Sequence, residues 1–167
     1  MNKNDILRRI RYVFDFSDSK MISIFAQADH QVTRAQVSDW LKKEDDPAYQ
    51  ECNDTQLAIF LNGLINDKRG KRDGSKPEPE KNLSNNAIFM KLKIALNLKA
   101  DDVIKILVMA DVSISKHELS AFFRKQGNRH YRECKNQMLR NFLKGLQLKY
   151  RPGPDDGTPE DPWNLKS

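Results

Sequence analysis

The 167-residue sequence predicts an all-α fold: two homologous four-helix units packed against each other, about eight helices in all. Three observations carry this expectation. Identical residues recur at a fixed spacing of about 82 positions with no gap, so the chain is built from two copies of one unit. In both copies the apolar residues follow helical spacing, and no segment shows the sustained alternation of a half-buried strand bounded by a two-residue turn.

The copies begin at Asn4 and Asn86 and end at Arg69 and Arg151. Ile6 returns as Ile88, Ile22 and Ile24 as Ile104 and Ile106, Ala28 and Asp29 as Ala110 and Asp111, and Ser38 as Ser120. The match is densest late in each unit, where Tyr49, Glu51, Cys52, Phe60, Leu61, Gly63 and Leu64 return as Tyr131, Glu133, Cys134, Phe142, Leu143, Gly145 and Leu146. A residue kept in both copies belongs to the shared fold, whereas a charge present in one copy is free to serve function. The organisation is therefore a first repeat over residues 1–69, a linker over 70–84, a second repeat over 85–151 and a tail over 152–167. A unit of about 66 residues has a marginal core by itself, which is why the two are expected to pack together.

Within the first repeat, Ile6, Ile10, Val13 and Phe14 form an amphipathic stripe. Ser17 or Asp18 can cap a second helix bearing Met21, Ile22, Phe25 and Ala28. Thr33 with Gln36 makes a capping box for a third, which carries Val37, Trp40 and Leu41. After a polar loop from Glu44 to Glu51, Asn53 or Asp54 caps a fourth helix with Leu57, Phe60, Leu61 and Leu64 on one face. The second repeat follows the same plan, with Ile88, Leu92 and Leu96; Val103, Ile104, Leu107 and Ala110; a Ser115–Glu118 capping box, with Phe122 answering Trp40; and finally Met138, Leu139, Phe142, Leu143 and Leu146. The linker, rich in charge, Gly and Pro, reads as mobile. The tail reads as disordered, with Trp163 and Leu165 its only material for a docking motif.

No run of about 18 apolar residues marks a membrane span, and the polar start MNKND lacks the apolar core of a signal peptide, so a soluble cytoplasmic protein with reduced thiols is expected.

The strings WLKKEDDPAYQEC (Trp40 to Cys52), FLNGLINDKRGK (Phe60 to Lys71), ELSAFFRK (Glu118 to Lys125), YREC (Tyr131 to Cys134) and LRNFLKGL (Leu139 to Leu146) resemble the YehS-like family of uncharacterised bacterial proteins, in which a domain of unknown function occurs in tandem. The resemblance covers roughly residues 4–151. It implies a cytoplasmic helical protein of bacteria and supplies no activity, substrate or catalytic residue.

Chemistry-bearing residues are few. In the repeated Tyr-x-Glu-Cys motif, a thiol just before a helix N-terminus is open to activation by the helix dipole, but the adjacent carboxylate opposes it. The expectation is structural: Tyr49, Cys52, Tyr131 and Cys134 pack under their loops, while Glu51 and Glu133 satisfy free amides at the start of the last helices. His30, His117 and His130 show no metal-ligand spacing. Asp29 and Asp111 read as turn residues, and Gly63 and Gly145 as points of close helix approach. There is no Walker loop, dinucleotide fingerprint, GxSxG elbow or HExxH pair, so no enzyme, metal, cofactor or small-molecule substrate is expected.

Charge separates the copies. Residues 1–69 carry 10 basic and 11 acidic side chains, whereas residues 85–151 carry 14 and 5. Arg124, Lys125, Arg129, Arg132, Lys135, Arg140 and Lys144 form a basic patch where the first repeat has Glu44, Asp45, Asp46 and Glu51. Such a patch attracts an anionic partner. The favoured reading is a non-catalytic module for protein interaction or self-association, with acidic and basic loops meeting within a chain or between chains. The alternative is binding of RNA or DNA through the second repeat, against which stand the lack of a recognition helix and the scarcity of stacking aromatics beyond Tyr131 and Tyr150.

Overall fold

A computed structural model describes residues 1–71 and 76–153, and every described regular element is a helix. The first repeat holds α1 (Lys3–Phe14), α2 (Asp18–Gln27), α3 (Arg34–Trp40) and α4 (Asp54–Arg69). The second holds α5 (Asn85–Ala95), α6 (Ala100–Met109), α7 (Lys116–Phe122) and α8 (Asn136–Tyr150). No described helix is long and apolar enough to cross a membrane. The expectation of a disordered tail falls mostly outside the described residues.

Caps set where the helices start. Ser17 accepts from the Lys20 amide, and Thr33–Gln36, Asn53–Gln56 and Ser115–Glu118 form full capping boxes, satisfying amides that lack an intrahelical partner. Two starts differ between repeats. Lys99 stands where the first repeat has Ser17, and Lys135 where it has Asn53, so α6 and α8 begin without a side-chain acceptor at the cap.

The helices α1, α2, α5 and α6 end alike. Asp15, Asp29, Asn97 and Asp111 adopt left-handed φ between 53° and 62°, and the next residue's amide reaches back to close the turn, as His30 does to the Phe25 carbonyl at 3.1 Å and Val112 to Leu107 at 2.9 Å. The repeated Asp is thus the hinge between the second and third helix of each unit.

One buried core runs through both repeats. Ile6, Leu7, Ile10, Met21, Ile24, Phe25, Leu57, Phe60 and Leu61 join Ile88, Phe89, Leu92, Val103, Ile106, Leu107, Leu139, Phe142 and Leu143 in a single cluster. Phe25 packs on Phe60 with ring centroids 5.2 Å apart, and Phe89 on Phe142 at 4.4 Å. Inside each unit, α2 lies on α4 and α6 on α8, so closely that a methyl on Gly63 would overlap the Ile24 carbonyl and one on Gly145 the Ile106 carbonyl. Between units, α4 packs along α5 and α8 along α1. Exchanging the two repeats turns one seam into the other, so they are related by a pseudo-two-fold axis.

Over residues 76–84 the expectation of a mobile linker gives way. Lys76 pairs with Asp29 at 2.5 Å, Thr55 donates to the Glu80 carbonyl at 3.1 Å, and Leu83, 3% exposed, donates its amide to Asp54 at 2.8 Å. The groups that hold this segment lie on both repeats, Asp29, Asp54 and Thr55 on the first and Lys91, which pairs with Glu80, on the second, so residues 76–84 pack against the helical units.

Candidate functional site

In each repeat the loop before the last helix is organised by a buried asparagine on the first helix. Asn4 donates to the carbonyls of Trp40 at 2.9 Å and Gln50 at 2.8 Å, and its oxygen accepts from the Cys52 amide at 2.9 Å and the Tyr49 hydroxyl at 3.0 Å. Asn86 donates to Phe122 at 2.9 Å and Arg132 at 2.8 Å, and accepts from the Cys134 amide at 2.9 Å. One amide side chain thereby pins three backbone points that would otherwise be buried without partners.

This frame decides the chemistry of the thiols. Cys52 and Cys134 are buried and free, and each thiol points at a following carbonyl, that of Asn53 at 3.8 Å and of Lys135 at 3.7 Å. Burial pushes both up to about 12, with the Asp54 charge adding to the effect at Cys52. Neither carries a thiolate near neutral pH, so neither is poised for nucleophilic attack. Burial also raises the Tyr49 phenol.

The expected role of the motif's carboxylates is corrected. Glu51 and Glu133 are exposed; the free amide of α4 goes to Asn53, and Glu133 pairs with Lys135 at 2.8 Å. Helix-end amides take the nearest acceptor three residues upstream, which in the first repeat is the Asn53 side chain. Among the described residues no group of three or more His, Cys, Asp or Glu side chains is placed to hold a metal ion.

The basic residues fall into two places. Arg124, Lys125, Arg129, Arg132 and Lys135 lie exposed on the loop between α7 and α8. Arg132 pairs with Glu118 at 3.7 Å and lies over the Phe122 ring at 5.4 Å, while Arg129 donates to the His130 ring at 3.1 Å. Arg124, Lys125 and Arg129 make no ion pair among the described residues. Arg140 and Lys144 lie one turn apart on α8, the helix that packs on α1. There the Arg140 charge, after burial itself, lowers the pKa of the buried Arg9 to about 10. Proximity in sequence grouped the seven; the helix turns two of them into the seam.

The acidic loop is the geometric counterpart of the basic one. Asp46 accepts the Ala48 amide at 2.9 Å, and at the matching position Asn128 accepts the His130 amide at 2.8 Å, so both loops are built on the same side-chain turn. Glu44 accepts from the Asn2 side chain at 2.7 Å. Among the described residues no ion pair joins Glu44, Asp45 or Asp46 to Arg129 or Arg132.

The sequence signal that went unread here was Asn4 and Asn86 themselves, a polar residue repeated on a helix face that is otherwise apolar.

Comparison with known proteins agrees with this architecture. A family model described as a protein of unknown function (DUF1456) matches twice, over residues 3–70 and 85–152. The chain is 43% identical over 151 residues to the "Uncharacterized protein YehS" of Escherichia coli (strain K12), an alignment that covers 89% of this chain and 96% of that protein. No solved structure matches the chain significantly.

Proposed function

The chain belongs to the DUF1456 family of proteins of unknown function, and from that premise we propose that it is a non-catalytic helical scaffold that self-associates through loops of opposite charge. The observation that carries this reading is the shared turn. Asp46 and Asn128 make the same hydrogen bond, so the fold does not require a charge there, yet the first loop is acidic and the second basic.

Two further features support it. Lys135 occupies the cap of α8, where Asn53 caps α4, and a cation at a helix N-terminus gives up stability for charge. Arg124, Lys125 and Arg129 make no ion pair among the described residues, and the one carboxylate of their loop, Glu133, pairs with Lys135. When two chains pair, the acidic loop of each meets the basic loop of the other, and both contacts form at once in a closed two-fold dimer. Exposed ion pairs contribute only about 0–1 kcal/mol each, so the association is weak, salt-sensitive and oriented by charge.

Sedimentation velocity at low and high salt tests this. The dimer should form at low salt and dissociate as salt rises. Asp45→Lys with Asp46→Asn, the latter keeping the turn as Asn128 does, should abolish it, and adding Arg124→Glu with Arg129→Glu should restore it. A monomer at every salt concentration, or strictly additive effects of the two changes, would reject self-association. Nuclease-sensitive co-purification of RNA or DNA would transfer the basic loop to the alternative reading.

A further inference from the structure

The C-terminal ends of α4 and α8 converge on one ring. Phe14, the last residue of α1, has the Tyr150 ring at 5.3 Å between centroids, the Phe16 ring at 5.3 Å and the Lys68 ammonium 5.2 Å from its centroid. Beside it the Arg151 guanidinium lies over the Tyr12 ring at 4.0 Å and donates to the Tyr12 carbonyl at 2.9 Å, while the Lys149 ammonium lies 5.3 Å from the Tyr150 centroid. Aromatic rings and cations are thus gathered where α1 and α8 end, about 20 Å along α8 from the basic α7–α8 loop.

The fold does not ask for these rings. The second repeat has Ile94, Leu96 and Leu98 where the first has Tyr12, Phe14 and Phe16, and the first has Lys68 where the second has Tyr150. The helix dipole accounts for cations at the ends of α4 and α8 but selects no aromatic residue. Near Tyr150 the carboxylates are engaged: Asp15 pairs with Arg151 at 3.7 Å, and Asp102 accepts the Lys99 amide at 2.8 Å. Lys68 and Lys149 make no ion pair among the described residues. Phe16 is buried, Phe14 packs against the core and Tyr12 is covered by Arg151, so the ring left to solvent is Tyr150, 40% exposed.

We propose that Tyr150 stacks an unpaired base of single-stranded nucleic acid, with Lys68, Lys149 and Arg151 placed to take the flanking phosphates. An aromatic face accepts any base and the cations around it follow the backbone, so recognition tolerates sequence and requires bases that are not already stacked in a duplex. An acidic peptide would use the cations and leave the ring idle. The site is separate from the loops of opposite charge and independent of self-association. One base on one ring binds weakly, so this site does not carry nucleic acid through purification.

Fluorescence anisotropy of a labelled oligothymidylate of about ten nucleotides tests the assignment. The full chain is used with Arg124→Glu and Arg129→Glu in place, which keeps the α7–α8 loop out of the measurement. Binding should appear at low salt and fall with a slope of about −2 in log affinity against log salt, as expected for three phosphates on a single strand. Tyr150→Phe should leave affinity within about twofold, whereas Tyr150→Lys, which installs the residue the first repeat carries there, should lower it about tenfold although it adds a cation. No binding at low salt in this background, including binding that only the unaltered chain shows, would overturn the proposal. Unchanged or tighter binding by Tyr150→Lys would reduce the surface to bare charge. Competition by polyglutamate as effective, charge for charge, as by unlabelled oligothymidylate would assign the surface to an acidic protein segment, and either result overturns the stacking site.

Discussion

The side-chain oxygen of Asn4 accepts the backbone amide of Cys52 at 2.9 Å, and Asn86 holds Cys134 at the same distance. Each asparagine is the point at which the first helix of a repeat grips the loop leading to its last. Asn86→Leu would leave the Phe122 and Arg132 carbonyls and the Cys134 amide without that partner, at about 1–3 kcal/mol for each group left buried. The expected loss is about 3–5 kcal/mol, read from the urea midpoint. Asn86→Asp should be no better, because a carboxylate would face two carbonyl oxygens where the amide now donates.

Gly63→Ala and Gly145→Ala set two effects against each other. Alanine in a helix gains about 1 kcal/mol over glycine, while overpacking costs about 1–3 kcal/mol or more. The atoms in the way are the backbone carbonyls of Ile24 and Ile106, which cannot swing aside as a side-chain tip can. Overpacking therefore wins, and thermal melts should show both variants destabilised.

At the helix starts the two repeats act as controls for one another. Lys135→Asn and Lys99→Ser install the first repeat's caps, and each should raise stability by about 0.5–2 kcal/mol in urea unfolding. Lys135→Asn should also weaken low-salt dimerisation, since it removes a cation from the basic loop. A more stable protein with unchanged association would remove Lys135 from the proposed contact.

The thiols predict a pH dependence. Folding raises Cys52 and Cys134 from an ordinary value near 9 to about 12, so above pH 9 the folded state retains protons that the unfolded state releases. Their contribution to stability is complete below pH 9 and is lost as pH rises toward 12. Comparing urea midpoints of the unaltered protein and a Cys52→Ala, Cys134→Ala variant between pH 7 and 11 isolates this contribution: the alkaline loss should be smaller in the variant. At neutral pH thiol reagents should label the folded protein no faster than it opens.

The helical plan was legible because its signals are local. Thr33 with Gln36 and Ser115 with Glu118 announce helix starts within four residues, and the stripes of α4 and α8 lie within two turns. What escaped depended on partners distant in the chain. Asn4 is silent until Trp40 and Gln50 are brought to it. Glu80 and Leu83 sit in a segment whose composition reads as loose, and only Asp54, Thr55 and Lys91 reveal that it is anchored. Arg140 and Lys144 sit close in sequence to Arg132 and Lys135, but the register of α8 carries them to α1.

The reciprocal seams, α4 on α5 and α8 on α1, also determine how long an array of these units can grow. In a solenoid each added unit leaves a fresh face for the next, and length is open-ended. Here the surface each unit offers is taken up by its one neighbour, and taken twice, so the assembly is complete at two. A half-length chain would carry both sides of the seam itself and could reproduce the arrangement as a homodimer. The covalent pair has the form of a fused dimer, in which one loop carries acidic and its counterpart basic side chains on the same frame.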